Sequence, residues 1–381
     1  MLRSRLNFTS DDSELKIKGE VKIFPPRKDS IYEETSEHVA RKLFKSEVSV
    51  RLSMIGKTAE GDGYTYVKAI CTNMGLTNID AMLSFKHLQY IDVSHNKLTL
   101  VNLQVLTKLP YVLFLQADDN KLDSAALNPM EYLQVIVMNY NKITSVSDVY
   151  QPELSTLELG HNKIDEVKFE RKLTKLRCLD LRYNNIKVMS DICDLQCLDS
   201  LYLAGNKVKS LAGLDKLENL RILHLRFNPL KKLNGLNKNN RKLQYINLRS
   251  CMVGTLKQIK KLKVLPALDT LVLKGTPYFG GTGEDIKGGD DDEEEEDPDL
   301  RIEVLAAVPR LKKLNKTDFT DEERAEAKEL IAQWIEEGEK EDEEEEEAED
   351  EEEKEGEQEG EEQENEKGQE VDGEQDIEED E

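Results

Sequence analysis

The sequence predicts an α/β repeat solenoid: a curved parallel sheet wound from units of about 22 residues, closed by helical caps and followed by a disordered acidic tail. Three observations predict it. An eleven-residue pattern, L-x-x-L-x-L-x-x-N-x-[LIV], recurs down the middle of the chain. Four prolines fall in one phase of that pattern. The formal charge of -25 comes from two acidic stretches that carry no such pattern.

The pattern reads LQYIDVSHNKL (88–98), VLFLQADDNKL (112–122), LQVIVMNYNKI (133–143), LSTLELGHNKI (154–164), LRCLDLRYNNI (176–186), LDSLYLAGNKV (198–208) and LRILHLRFNPL (220–230). Two degenerate copies follow, LQYINLRSCMV (243–253) and LDTLVLKGTPY (268–278), and an imperfect one, AICTNMGL (69–76), precedes them, giving ten units. A unit this short cannot hide its own apolar face, so units must stack. The alternating L-x-L then forms one short strand per unit, with leucines turned inward. The recurring asparagines Asn96, Asn120, Asn141, Asn162, Asn184, Asn206 and Asn228 end these strands. There an amide can satisfy buried backbone groups of the turn and pair with its neighbours, a structural task rather than a chemical one. Cys251 and Thr276 take this position in the last copies.

Pro110, Pro152, Pro266 and Pro309 each lie two residues before a strand-starting apolar residue, where no ladder donor is needed. Leu311 follows Leu268 by 43 residues, one repeat plus about 21. The surplus matches the acidic, glycine-rich stretch 279–299, expected as a solvated loop extruded from the last repeat.

Repeat arrays need capped ends. VLAAVPRLKKLNKTDFTDEERAEAKELIAQWIEE (304–337) predicts a helical turn, a last Leu311/Leu314 pair, and a helix from about Thr320 opened by a Thr320/Glu323 capping box. Trp334 shares a helical face with Leu330 and Ile331 and is expected to pack on the core. At the other end, 14–24 alternates like a strand pair, and 36–56 is expected as a helix shielding the first repeat. The organisation is therefore an N-terminal extension and cap (1–50), a solenoid with its C-terminal cap (51–335), and the tail (336–381).

From Glu336 onward the chain has thirty acidic residues against three lysines, so the remainder is near neutral and the low pI describes the tail. Five scattered cysteines in apolar positions are expected as buried thiols of a reducing compartment, so a cytoplasmic setting follows. Cys193 and Cys197 lack further Cys or His at ligand spacing, so no metal is expected. No run approaches the ~20 apolar residues of a membrane span, and no signal peptide is apparent.

The outward residues of the strands have no packing duty and are the candidate binding surface. Along the face these are Tyr90, Asp92, Phe114, Asp118, Tyr140, Glu158, Arg182, Tyr183, Tyr202, His224, Arg226, Phe227, Tyr245 and Arg249. The face is aromatic throughout, acidic in its N-terminal half and basic in its C-terminal half. Aromatics and arginines on a rigid surface match the composition of protein-binding hot spots. Nucleic acid is not expected, because Asp92, Asp118, Asp119, Glu158 and Asp180 would repel phosphates. Nor is catalysis or any cofactor. His95, His161 and His224 stand where the repeat phase puts them, with no arranged nucleophile. GKTAEGDG (56–63) has Arg51 where a phosphate loop needs its first glycine.

These units resemble the short class of leucine-rich repeats, which includes a regulatory subunit of protein phosphatase one. More specifically, RLSMIGKTAEGDGYTYVKA (51–69), LTNIDAMLSFKHLQYIDVSHNKLT (76–99), FLQADDNKL (114–122), YLQVIVMNYNKIT (132–144) and TDEERAEA (320–327) resemble the leucine-rich-repeat proteins of the radial spokes of motile cilia. The likeness covers about residues 45 to 335. It implies a structural protein of the axoneme, in the third radial spoke of a cilium or flagellum, bound to other spoke proteins and to no membrane. The loop 279–299 and the C-terminal acidic run depart from that family, so the tail's role is not implied. Two alternatives stay open: a nuclear acidic leucine-rich-repeat chaperone whose tail engages basic histones, and a phosphatase-regulating subunit. The former kind carries about half as many repeats and starts them almost at the N-terminus. The N-terminal extension and degenerate last repeats count against the latter.

Overall fold

Every three-residue strand buries its middle side chain and leaves at least one of the two flanking side chains half-exposed on the opposite face. The computed structural model describes residues 40–58, 61–189, 192–283 and 297–338. The strand pair expected in 14–24, most of the acidic insertion (284–296) and the tail from 339 onward lie outside those residues.

One sheet of 13 strands takes the strands in chain order. They are β1 (Leu52–Lys57), β2 (Tyr64–Ile70), β3 (Tyr90–Asp92), β4 (Phe114–Gln116), β5 (Val135–Val137), β6 (Thr156–Glu158), β7 (Cys178–Asp180), β8 (Ser200–Tyr202), β9 (Ile222–His224), β10 (Tyr245–Asn247), β11 (Thr270–Val272), β12 (Lys313–Leu314) and β13 (Thr317–Asp318). From β2 to β12 all neighbours pair in parallel, and each end is closed by an antiparallel strand. The register is constant: Ile91, Leu115, Ile136, Leu157 and Leu179 stand side by side and are fully buried. Each such residue contributes roughly 2 kcal/mol of apolar burial. Only a stack can supply it, because the walls around each residue belong to the rungs on either side.

Behind the sheet the chain returns through short turns of helix, such as α2 (Leu100–Leu103) and α3 (Leu256–Lys260) after α1 (Lys45–Ser49). Leu103, Leu106, Ile259 and Leu262 from these returns complete the core.

The helix expected over 36–56 is found, within the described part, only as α1, five residues long. Glu47 accepts the Phe44 N–H at 2.9 Å to start it. From Leu52 the chain is instead the outer strand of a hairpin, for which Ile55, Tyr64, Tyr66 and Val67 are better suited than for a helix. Gly56 and Lys57 of GKTAEGDG end β1, and the Thr58 N–H donates to the Gly63 carbonyl at 3.0 Å to close the hairpin. Glycine is required at position 56, where a Cβ would stand 2.8 Å from Val67 Cγ1.

The C-terminal cap adds a rung beyond the ten read from the pattern, because Lys313–Leu314 pairs in parallel with β11. The solvated stretch expected to run to residue 299 also ends earlier. Asp297 accepts the Asp299 N–H at 3.0 Å, and Pro298 begins α4 (Pro298–Ala307). The final helix is α5 (Asp321–Gly338). Its capping box is formed: Thr320 N–H donates to Glu323 Oε2 at 2.7 Å, and Glu323 N–H to Thr320 Oγ1 at 3.1 Å. Arg301 of α4, only 9% exposed, ties the cap together. It donates to Glu323 at 2.7 Å and Thr317 at 2.6 Å and lies 4.9 Å from the Phe319 ring centre. Half-buried Trp334 packs against the core with the Lys260 ammonium 4.5 Å above its ring.

Candidate functional site

Two backbone devices hold the open face of the sheet, and both come from the end of the repeat motif. The first is the asparagine at its ninth position. The Asn141 amide donates to Ala117 O of the preceding rung at 3.0 Å and to Met138 O of its own at 3.1 Å, while its Oδ1 accepts the Leu122 N–H at 3.1 Å. Asn96, Asn120, Asn162, Asn184, Asn206 and Asn228 donate in the same way to the preceding rung. All seven are buried. Each side chain spans to the backbone of the neighbouring rung, so the ladder runs through peptide groups rather than from amide to amide.

The second device lies one position earlier and has no single residue type to announce it. Asn73, His95, Asp119, Tyr140, His161, Tyr183, Phe227 and Ser250 all hold φ between 47° and 58°, and Gly205 and Gly275 hold 67° and 76°. A non-glycine residue there costs about 1 kcal/mol. The turn is held because each N–H reaches the next rung, as Tyr140 N–H reaches Gly160 O at 2.9 Å and His161 N–H reaches Arg182 O at 2.8 Å. The left-handed turn carries side chains off the strand and aligns them in a row at its end.

On this frame the candidate aromatic residues sort into two stacks. Tyr140, His161 and Tyr183 lie ring over ring, with centroids 4.2 and 4.3 Å apart. Tyr202, His224 and Tyr245 form the second stack at 4.8 and 4.9 Å. The spacing is near the ~4.8 Å between neighbouring strands. Tyr90 and Phe114 form a looser tilted pair at 6.4 Å. Arg226 lies over the Phe227 ring at 5.6 Å, and Arg249 is half-buried beside the β10 end, its N–H donating to Asn247 Oδ1 at 3.0 Å. His161 is held below its ordinary pKa by burial and by neighbouring Arg182, so its ring stays neutral between the two tyrosines.

The acidic half is a connected network. Gln116 donates to Asp118 Oδ2 at 2.7 Å, and Asn139 N–H donates to Asp118 Oδ1 at 2.7 Å. The Asn139 side chain donates to Glu158 and accepts the Gly160 N–H at 2.6 Å. Burial raises both carboxyls above the usual range, for Glu158 with help from Asp180. Asp180 is satisfied locally, since Arg182 forks onto it with Nε to Oδ2 at 2.8 Å and lies 5.7 Å from the Tyr202 ring centre. Asp92 accepts the Ser94 N–H at 3.0 Å. Asn139 is not among the residues singled out above. Its signal is a polar residue at the motif's seventh position, legible only once that position is known to face its neighbours.

Nothing on the face resembles an activated nucleophile. Cys178, the cysteine of the face, is pushed up to about 12 by burial. All five cysteines are thiols, not disulfides. Cys193 is buried while Cys197 is exposed, so the two turn to different environments. Among the described residues, no cluster of His, Cys, Asp and Glu is placed to hold a metal, and no helix is long and apolar enough to cross a membrane.

Matches to two repeat families agree with this architecture. The leucine rich repeat family matches residues 152–208, and the two-copy leucine rich repeat family matches 198–238. An internalin (inlF) from Listeria monocytogenes shares 15% identity at a TM-score of 0.40, across 68% of this chain and 92% of that one. Leucine-rich repeat-containing protein 23 of Bos taurus is 37% identical over 73% of this chain and 77% of its own length. The Homo sapiens protein of the same name is 37% identical over 77% of this chain and 80% of its own. With that identity extending over more than two thirds of both chains, the chain belongs to the leucine-rich repeat-containing protein 23 family.

Proposed function

We propose that this protein is a non-catalytic scaffold of the motile-cilium axoneme, built into the third radial spoke, with the open face of its sheet gripping other spoke proteins. The observation that carries the binding role is the unbroken face itself. Ring stacks and charged side chains are fixed on a rigid ladder from β3 to β10, with no convergent catalytic group among them. Rigid aromatics flanked by charge make strong protein contacts at little entropic cost. The axonemal assignment is supported by the lead-in segment 51–69 and the order of repeats, which resemble the spoke proteins, and by the family. On this reading the protein resides in the cytoplasm and cytoskeleton of the cilium or flagellum, and its partners are proteins rather than nucleic acid or membrane.

The test is tomography of axonemes from cells lacking the protein. Loss or truncation of the third spoke is expected; an intact third spoke overturns the assignment. The second reading, a histone-binding nuclear chaperone, is favoured by one feature, the acidic run from Glu336. It predicts that the full chain retains histones at about 0.3 M salt. A contact held by charge alone fades there, because the Debye length is only about 5–6 Å.

A further inference from the structure

Successive rungs β6 and β7 both carry a carboxylate at the outward fifth position, but only β7 has a cation beside it. At the fifth and seventh motif positions, β7 has Asp180 and Arg182, whereas β6 has Glu158 and Gly160. On β7 the guanidinium forks onto the carboxylate and lies against the Tyr202 ring. On β6 the carboxylate is present and its fifth-position neighbour on β7 is the acidic Asp180, while Tyr140 and His161 stack at the strand ends; no side chain comes from Gly160 to meet Glu158. Among the described residues no Lys or Arg pairs with Glu158 or with Asp118. Arg182 reaches Glu158 only through space.

A half-buried carboxylate without a cation is costly, and a guanidinium is the group that meets both a carboxylate fork and an aromatic face. Arg182 demonstrates that this sheet accommodates one. Building on the proposal that the open face is the binding surface, we infer that it receives an arginine-bearing segment of a partner protein. The guanidinium lodges against Glu158 above Gly160, the place that Arg182 fills beside Asp180 one rung later, with the Tyr140–His161–Tyr183 stack flanking it at the strand ends. Charge complementarity selects this occupant, since the N-terminal half of the face offers Asp92, Asp118 and Glu158 on rungs β3, β4 and β6.

The test uses the full chain and a set of fluorescent peptides of one tyrosine- and alanine-rich sequence whose central residue is Arg, Lys or Gln. Anisotropy is expected to rank Arg above Lys, and Lys above Gln, by roughly tenfold between the extremes, with the Arg advantage shrinking as salt is raised. Two variants then remove the site by different routes. Glu158→Gln keeps the shape and removes the charge. Gly160→Arg fills the site from within; its Cβ would meet only the Asn139 side-chain oxygen at 3.1 Å and the Arg182 carbonyl at 3.4 Å. Each, shown folded by circular dichroism, is expected to abolish the preference for Arg over Gln. No measurable binding of the Arg peptide, equal binding of Arg and Gln peptides, or a preference unchanged in Glu158→Gln overturns the inference. So does a concentration-dependent dimer in which a second copy covers the face. Cross-linking from Tyr202 and Tyr245 to axonemal proteins separates the two claims. If those cross-links form while the peptides show no preference, the inference fails and the binding face stands. If none forms, the binding face itself fails.

Discussion

Cys251 Sγ lies 3.1 Å from the Leu225 carbonyl oxygen, in the place where an asparagine amide reaches the equivalent carbonyl on every rung from β3 to β9. A thiol can donate there once and weakly, whereas Asn228 one rung earlier also accepts the Val208 N–H at 2.9 Å. Cys251→Asn is therefore expected to stabilise the solenoid by about 1 kcal/mol, and Asn162→Ala, which strands Ile143 N–H and removes one of the two asparagine donors at Met138 O and Leu159 O, to cost about 2 kcal/mol. Urea titration of the two variants checks this; equal midpoints for both would sink the ladder's assigned role.

Gly205 holds φ at 67°, and a Cβ there would stand 2.4 Å from the Tyr183 ring. Gly205→Ala should cost about 1–3 kcal/mol and unseat Tyr183 from His161, seen as a change in near-ultraviolet dichroism and a lower urea midpoint. An unchanged aromatic signal would mean that the stack does not depend on this turn.

The legible part of the fold was what repeats in residue type. Leucines at the first, fourth and sixth positions and asparagine at the ninth could be read directly because each has one physical task. The left-handed eighth position was not legible, since His95, Tyr140 and Ser250 adopt the same backbone with unrelated side chains. The ring stacks were hidden for a related reason: Tyr140 and His161 are distant in sequence and meet only through the rung spacing. The last rung, Lys313–Leu314, lacks the asparagine and follows a long insertion, so its leucines looked like a cap. The first hairpin was obscured because apolar residues in 36–56 fit a helical period as well as an alternating one. On the face, composition revealed which residues were outward; it could not reveal that Asn139 joins Asp118 to Glu158 or that Arg182 belongs to Asp180.

The C-terminal cap should be acid-sensitive. Burial raises the Glu323 carboxyl, but Arg301 and the Thr320 N–H outweigh it and hold it below its ordinary value of 4.5. A depressed folded value means that the group stabilises the cap above the ordinary range and that this contribution is lost as pH falls through the lower folded value. Trp334 is the chain's single tryptophan, so its fluorescence reports the cap alone. Acidification should shift that signal in the natural protein, and Glu323→Gln should lower cap stability at neutral pH while flattening the acid dependence. An identical acid profile in the variant would assign the effect elsewhere.

Glu158 has the opposite sign. Its carboxyl is raised by burial, so the folded state binds the proton more tightly than the unfolded chain, and stability at this site is lost as pH rises through the folded value. Glu158→Gln should therefore unfold at a higher temperature than the natural protein at neutral pH, with the gap closing below about 4.5. A destabilised variant at neutral pH would show that the carboxylate is needed for the fold and is not held ready for a partner.

The most direct measurement of the central claim is return of a face variant to cells that lack the protein. A chain carrying Tyr140→Ser, Glu158→Gln and Tyr202→Ser changes only half-exposed or exposed side chains and should fold with an intact core. If the open face is the binding surface, this protein is made at normal level yet is washed out of isolated axonemes, while the natural chain is retained. Retention of the variant at the natural level would contradict the account.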